Sequence, residues 1–179
     1  MKMSSTTKMT KSSAPAAAGP FDPGRGKGER VNSNPYEKIG VGQVINGRPM
    51  EVTRETIREF AEASLDFNPL HLDDGYMAKQ EFGRTKFEKV IAHGMMTFSL
   101  ITRMMTEWLW PLGGIHRRLE TRWLKPVYSG DTITPRAVVS QKMKTAKGQW
   151  VLFNVEVKNQ TGSLVATGEA MAEFPVSNS

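Results

Sequence analysis

The chain has 179 residues, with 24 Lys+Arg against 18 Asp+Glu, no cysteine and three histidines. That length suits one ordinary domain, and a composition of 39% apolar and 23% charged residues suits a globular protein with a real core. The missing cysteines exclude a disulfide scaffold, a thiolate zinc site and a cysteine nucleophile.

Residues 1–33 hold six basic and two acidic side chains, so +4 of the net +6 lies there and the body carries only +2. This head is Ser, Thr, Lys, Ala, Pro and Gly, with Phe21 its only large apolar residue between Thr10 and Val31. It cannot bury enough surface to offset the entropy of ordering, so 1–33 reads as a disordered basic tail and 34–179 as one domain. It lacks the apolar stretch of a signal peptide, and a cytoplasmic location is expected. Charge concentrated in a tail is no argument for a nucleic-acid partner. The longest apolar stretch, Ile91 to Leu112, contains His93, Arg103 and Glu107. It reads as a buried helix, and no membrane span is expected.

Along the body, Gly47 to Val52 reads as a short strand. Thr53 is a good N-cap and Glu55 puts a negative charge in the first turn of the helix that follows. Ile57, Phe60, Ala61, Ser64 and Leu65 then fall on one stripe of a helix of about three turns. Asp66-Phe67-Asn68-Pro69 stops it, because a residue before proline is pushed away from helical angles. Asp73 or Asp74 caps a short helix through Tyr76, Met77 and Ala78 that Gly83 ends. Phe87 to Ile91 is expected to be extended. Gly94 opens a long helix to Leu109, with Met95, Phe98, Ile101, Met104, Met105 and Trp108 on one broad face and Met96, Leu100 and Leu109 on others. A helix so apolar around its circumference is wrapped by other structure. Pro111 and Gly113-Gly114 end it.

Strands follow: Leu119–Leu124, a Ser129-Gly130-Asp131 turn, Thr132–Ser140, and a run with Val151, Phe153, Val155 and Val157 at a period of two. Asn159 to Gly162 is a hairpin signal and Leu164 to Phe174 the last strand. One buried helix followed by antiparallel strands predicts an α+β fold, a sheet with one face covered by the helix. Its open edge favours dimerisation.

Two histidines sit beside special backbone. Asp66 and His71 flank a turn stiffened by Pro69, a spacing that lets a carboxylate and an imidazole share one water as an acid–base pair. Equally, Asp66 caps a turn and His71 is a surface loop residue, since Asp, Asn and Pro are ordinary turn formers. His93 precedes Gly94, whose backbone N–H at a helix start can hold a carbonyl oxygen, or whose lack of a side chain serves close packing. No metal is expected: His71, Asp73, Asp74 and His93 do not fall at a recognised ligand spacing. No Gly-x-Ser-x-Gly elbow is present, and Gly24-x-Gly26-x-Gly28 lies in the tail with no strand before it.

Phe60 to Asp73, with Asp66-Phe67-Asn68-Pro69-Leu70-His71 at its centre, and Ile91-Ala92-His93-Gly94-Met95 together resemble the MaoC-like dehydratase family, in particular its R-specific enoyl-CoA hydratases. Lys125-Pro126-Val127-Tyr128-Ser129-Gly130-Asp131 and Val165 to Ala170 agree, so the likeness covers about residues 50–174. The resemblance implies a hot-dog fold, an antiparallel sheet wrapped around a long central helix. It implies at least a homodimer with an acyl-thioester tunnel near the subunit interface. It assigns Asp66 and His71 as the catalytic pair that adds water across the 2,3 double bond of an enoyl-CoA. Gly94 becomes the backbone donor to the thioester carbonyl; Asn68, His93 and Ser99 become substrate-site residues. CoA enters as substrate, and no cofactor is implied. Two departures stand out: Leu65 where the motif prefers glycine before the aspartate, and Met77 where a small residue is usual. A hot-dog thioesterase and a non-catalytic acyl-thioester-binding module share the fold. Arg117, Arg118, Arg122 and Lys125 suit CoA phosphates or a solvated strand face equally well.

Overall fold

A computed structural model describes residues 34–79, 87 and 89–176; the tail 1–33 and Gly83 lie outside these residues. In chain order the elements are α1 (Pro35–Lys38), β1 (Val44–Asn46), β2 (Met50–Glu51), α2 (Arg54–Ser64), α3 (Pro69–Leu72), α4 (Asp74–Met77), α5 (Gly94–Leu109), a 3-10 turn at Trp110–Leu112, β3 (Ile115–Trp123), β4 (Thr132–Thr145), β5 (Gly148–Asn159) and β6 (Leu164–Phe174). The strands form one antiparallel sheet in the order β1-β4-β5-β6-β3, with β2 also on β4. No helix among the described residues is long and apolar enough to cross a membrane.

The period of two in β5 has the expected consequence: Val151, Phe153, Val155 and Val157 are all buried. They face α5, which buries Met96, Leu100, Ile101, Met104, Met105 and Leu109 in the same core. Trp108 packs edge-on against Phe153, ring centroids 5.6 Å apart. Met95, by contrast, is exposed. The buried stripe of α5 runs through Met96 and Thr97 instead, because only the far side of the helix meets the sheet.

Other differences from the local reading have identifiable causes. Of the strand expected at Gly47–Val52, Met50–Glu51 forms as β2; β1 precedes it at Val44–Asn46, and the two pair β4 on either side of Pro135. Pro135 has no N–H to give to a ladder, so pairing is interrupted there. Strand β4 runs on past Ser140 to Thr145 because a bulge between Val139 and Gln141 resets its phase. Strand β3 starts at Ile115 rather than Leu119. Among the described residues, the extended run before His93 contributes one bridge, Ile91 to Tyr128.

Thr53 caps α2 as expected, in a capping box completed by Thr56. Leu65 departs from the expected apolar stripe: it is the C-cap of α2, left-handed at φ 58°, and its side chain is 78% exposed. A left-handed conformation costs a side-chain-bearing residue about 1 kcal/mol that glycine avoids. Leu65→Gly is therefore expected to stabilise the fold by roughly 1 kcal/mol in urea unfolding, although it loosens the unfolded chain. An unchanged or lower midpoint would show that Leu65 is held by something more than its backbone.

Candidate active site

The Asp66 segment is a chain of caps. After the left-handed Leu65, Asp66 Oδ1 accepts the Asn68 N–H at 3.3 Å, and Asn68 Oδ1 accepts the Leu70 N–H at 3.1 Å as the N-cap of α3. Pro69 occupies the first turn of α3, where its missing N–H costs nothing. Three residues after Asn68, this one-turn helix turns His71 inward. Asp73 then caps α4, and Asp74 ties it down by an ion pair with Arg54 and by accepting the Val90 N–H at 3.4 Å.

The two motifs are cross-braced. The Nδ1–H of His71 donates to the Ile91 carbonyl at 2.8 Å, and the Nε2–H of His93 donates to the Asp66 carbonyl at 2.9 Å. Each histidine is thus anchored on the other segment's backbone. A carbonyl can only accept, which places a proton on His71 Nδ1 and on His93 Nε2. His71 keeps its Nε2 lone pair for chemistry. The two rings stack, centroids 3.7 Å apart at 26°. Burial holds the His71 imidazole below its ordinary pKa; the bond to Ile91 opposes this, nearby His93 adds to it, and Asp66 opposes it. His71 is therefore neutral at neutral pH.

One ligand-type atom each from Asp66, His71 and His93 lies within 4.8 Å of the other two. Two hydrogen bonds of ~2.8 Å to one water span roughly that distance, so the carboxylate and an imidazole nitrogen can share a water. A metal ion fits less well. Imidazole coordinates in its own plane at about 2.0–2.1 Å, and two nearly parallel stacked rings do not aim their lone pairs at one point.

Gly94 begins α5, and as the first helical residue its N–H has no intrahelical acceptor. Its carbonyl accepts the Trp123 indole N–H at 2.9 Å, and a Cβ at Gly94 would meet the Trp123 ring at 2.8 Å. The glycine is thus required by packing as well as free to offer a donor. A cavity of about 350 Å³ adjoins it, lined by Ile91, Gly94, Thr97, Trp123 and Val127 among others, with Lys125 at its wall.

The structure thus gathers Asp66, His71, His93 and Gly94 into one place, with Asn68 capping the turn between Asp66 and His71. Ser99 lies exposed on α5 and does not line the cavity. Thr97, buried and in the cavity wall, holds the position nearest in character. Helical spacing carries that signal: Thr97 is three residues from Gly94 and shares its face, whereas Ser99 is five away and does not. Trp123, at the end of a strand, carries no such local signal.

A family model described as "MaoC like domain" matches residues 38–161. An (R)-specific enoyl-CoA hydratase from Aeromonas caviae is 34% identical over 119 residues, which span 66% of this chain and 84% of the relative. A mitochondrial 3-hydroxyacyl-[acyl-carrier-protein] dehydratase from Arabidopsis thaliana is 30% identical over 138 residues, 76% of this chain and 78% of the relative. The unliganded R-hydratase of Pseudomonas aeruginosa superposes with a TM-score of 0.67 at 32% identity, covering 79% of this chain and 86% of that one.

Proposed function

The chain belongs to the MaoC-like domain family, and from that premise we propose that it is a hydro-lyase that hydrates a 2-enoyl-CoA thioester to the (R)-3-hydroxyacyl-CoA and catalyses the reverse dehydration. The observation that carries this reading is the approach of the Asp66 carboxylate and a neutral His71 to within water-bridging reach, beside an unpaired helix-start N–H.

The Asp66 carboxylate and His71 Nε2 hold a water between them. As its oxygen bonds to C3, His71 takes one proton at Nε2. That proton, or its equivalent through Asp66, goes to C2, so the pair ends each turnover as it began. The second proton of the water stays on the new hydroxyl. While C2 waits for its proton, negative charge builds on the thioester oxygen. The Gly94 N–H, at the positive end of a 16-residue helix, is placed to stabilise it. The CoA thioester is the substrate, and no cofactor enters the sequence of steps.

Leu65, Phe67 and Trp123 stand 78%, 57% and 51% exposed around the site. A second copy covering them completes the thioester channel in this reading. The decisive experiment incubates the protein with crotonyl-CoA and longer enoyl-CoAs and follows loss of conjugated-thioester absorbance, product chirality and molar mass together. Conversion to the R-3-hydroxy product by a dimer or larger assembly is expected. Free CoA released without hydration would assign a thioesterase instead, and binding without turnover would assign a non-catalytic module.

The lowered affinity of His71 for protons sets a pH dependence. The neutral imidazole is the working form for hydration, so kcat/KM is expected to be flat through neutrality and to fall on acidification with a midpoint below about 6.5. An acid limb centred above pH 7 would contradict a buried neutral base.

A further inference from the structure

We propose that His93 is the positioning residue of this site: its ring clamps the Asp66 main chain and backs one face of His71 without itself meeting substrate. The proposal rests on the hydratase reading for its kinetic consequences and on geometry alone for its structural ones.

Four observations carry it. His93 is 2% exposed, so little of it is open to a ligand. Its Nε2–H is already committed to the Asp66 carbonyl at 2.9 Å. Its Nδ1 is buried without a hydrogen-bond partner in the structure, sealed among neighbours that include the ring of Phe60, 5.1 Å away. Its ring lies against His71 at 3.7 Å. The residues it restrains need restraint. Leu65, left-handed at the end of α2, and Asp66, Phe67, Asn68 and Pro69 after it are all exposed. Along this run the bonds that hold the main chain are local: Asp66 Oδ1 accepts the Asn68 N–H, and Asn68 accepts those of Leu70 and His71. The His93 bond is the long-range one, spanning 27 residues from the buried mouth of α5. Without it, Asp66 is set only by its own turn, and a carboxylate displaced by an ångström no longer shares a water with His71.

The proposal separates two properties of the side chain. His93→Gln can keep an N–H near the Nε2 position but loses the ring. His93→Phe keeps a ring of similar volume but loses the N–H. Neither opens the large cavity that alanine would leave.

In the first measurement, amide hydrogen exchange is followed at His71 and Ile91, whose N–H groups donate to Asn68 and Leu70 carbonyls. Exchange in His93→Phe is expected to quicken about tenfold, the worth of one lost hydrogen bond, and to stay within about threefold of the parent in His93→Gln. In the second, kcat for enoyl-CoA hydration is expected to fall about tenfold in His93→Phe with KM within about twofold, and His93→Gln to recover most of it. Both variants remove the imidazole that disfavours protonation of His71, whose other titratable neighbour among the described residues is Asp66. The acid limb of the rate profile is therefore expected to move to higher pH in each.

Unchanged exchange in His93→Phe overturns the proposal. So does a rise in KM of tenfold or more at constant kcat, which would make His93 a substrate contact. If the parent protein hydrates no enoyl-CoA at all, the functional reading fails while the exchange measurement still decides the role of His93.

Discussion

Asp66→Asn and His71→Asn are each expected to lower the hydration rate by about two orders of magnitude or more, with the fold intact. The choice of residue follows from the bonds each side chain makes. Asparagine at position 66 keeps an Oδ1 to accept the Asn68 N–H, so the turn survives while the carboxylate is lost. Asparagine at position 71 places its amide nitrogen close to where the Nδ1 of histidine was. The bond to the Ile91 carbonyl can persist while the Nε2 lone pair disappears. A rate loss in these variants therefore reports on chemistry, and matched circular dichroism spectra check that the scaffold is unaltered. The readout is the initial rate of absorbance loss from crotonyl-CoA. Near-full activity in both variants would move the site away from this pair. A loss in one alone would show that a single group handles both proton transfers.

The second large effect is on stability. Gly168 lies in β6, opposite Thr121 of the edge strand β3 and Val155 of β5. A Cβ there would sit 1.9 Å from the Glu120 carbonyl oxygen and 2.9 Å from its carbon. Both are backbone atoms of the neighbouring strand, so no side chain can swing aside and β3 itself must shift. Gly168→Ala is expected to cost about 3 kcal/mol or more, at or above the upper end of ordinary overpacking. Gly40→Ala provides the control, since a Cβ at Gly40 meets nothing within 4 Å. It is expected to change stability by less than about 0.5 kcal/mol. Urea unfolding of the two variants side by side measures the contrast. Equal midpoints would mean that β3 is not held against β6 as tightly as the pairing indicates. Because Trp123 ends β3 and covers Gly94, a displaced β3 is also expected to lower activity.

Much of the architecture is legible in the residues themselves, wherever the cause is local. Thr53 and Asp73 cap the helices that follow them because capping needs only a side chain and an amide two or three residues on. Strand β6 runs from Leu164 to Phe174 as expected, because Asn159 and Gly162 build their hairpin from their own backbone; Gly162 is left-handed at φ 78°. The period of two in β5 and the apolar girth of α5 together specify a sheet laid on a helix. The two motifs likewise supply Asp66, His71 and His93, which the fold brings together, and Gly94 opens α5 where its motif places it. The departure at Leu65 is also explained: the residue before the aspartate is left-handed, the conformation for which glycine is suited.

What the residues alone do not disclose is anything that depends on which surfaces meet. Met95 and Met96 are equivalent in composition, yet one is exposed and the other buried, because the sheet approaches α5 from one side only. Thr97 rather than Ser99 reaches the cavity for the same reason. Strand β4 outruns its expected end because a bulge resets its phase, and a bulge is fixed by pairing with β5 rather than by its own side chains. The site shows the division most clearly. Sequence determined that an aspartate, two histidines and a helix-opening glycine are present, and that Asp66 and His71 flank a rigid turn. Only tertiary structure decided that each histidine holds the other segment's carbonyl, which leaves His71 Nε2 free and commits His93 to support. Those bonds join residues 20 and 27 positions apart, and their direction depends on how two loops are pressed together against the start of a buried helix.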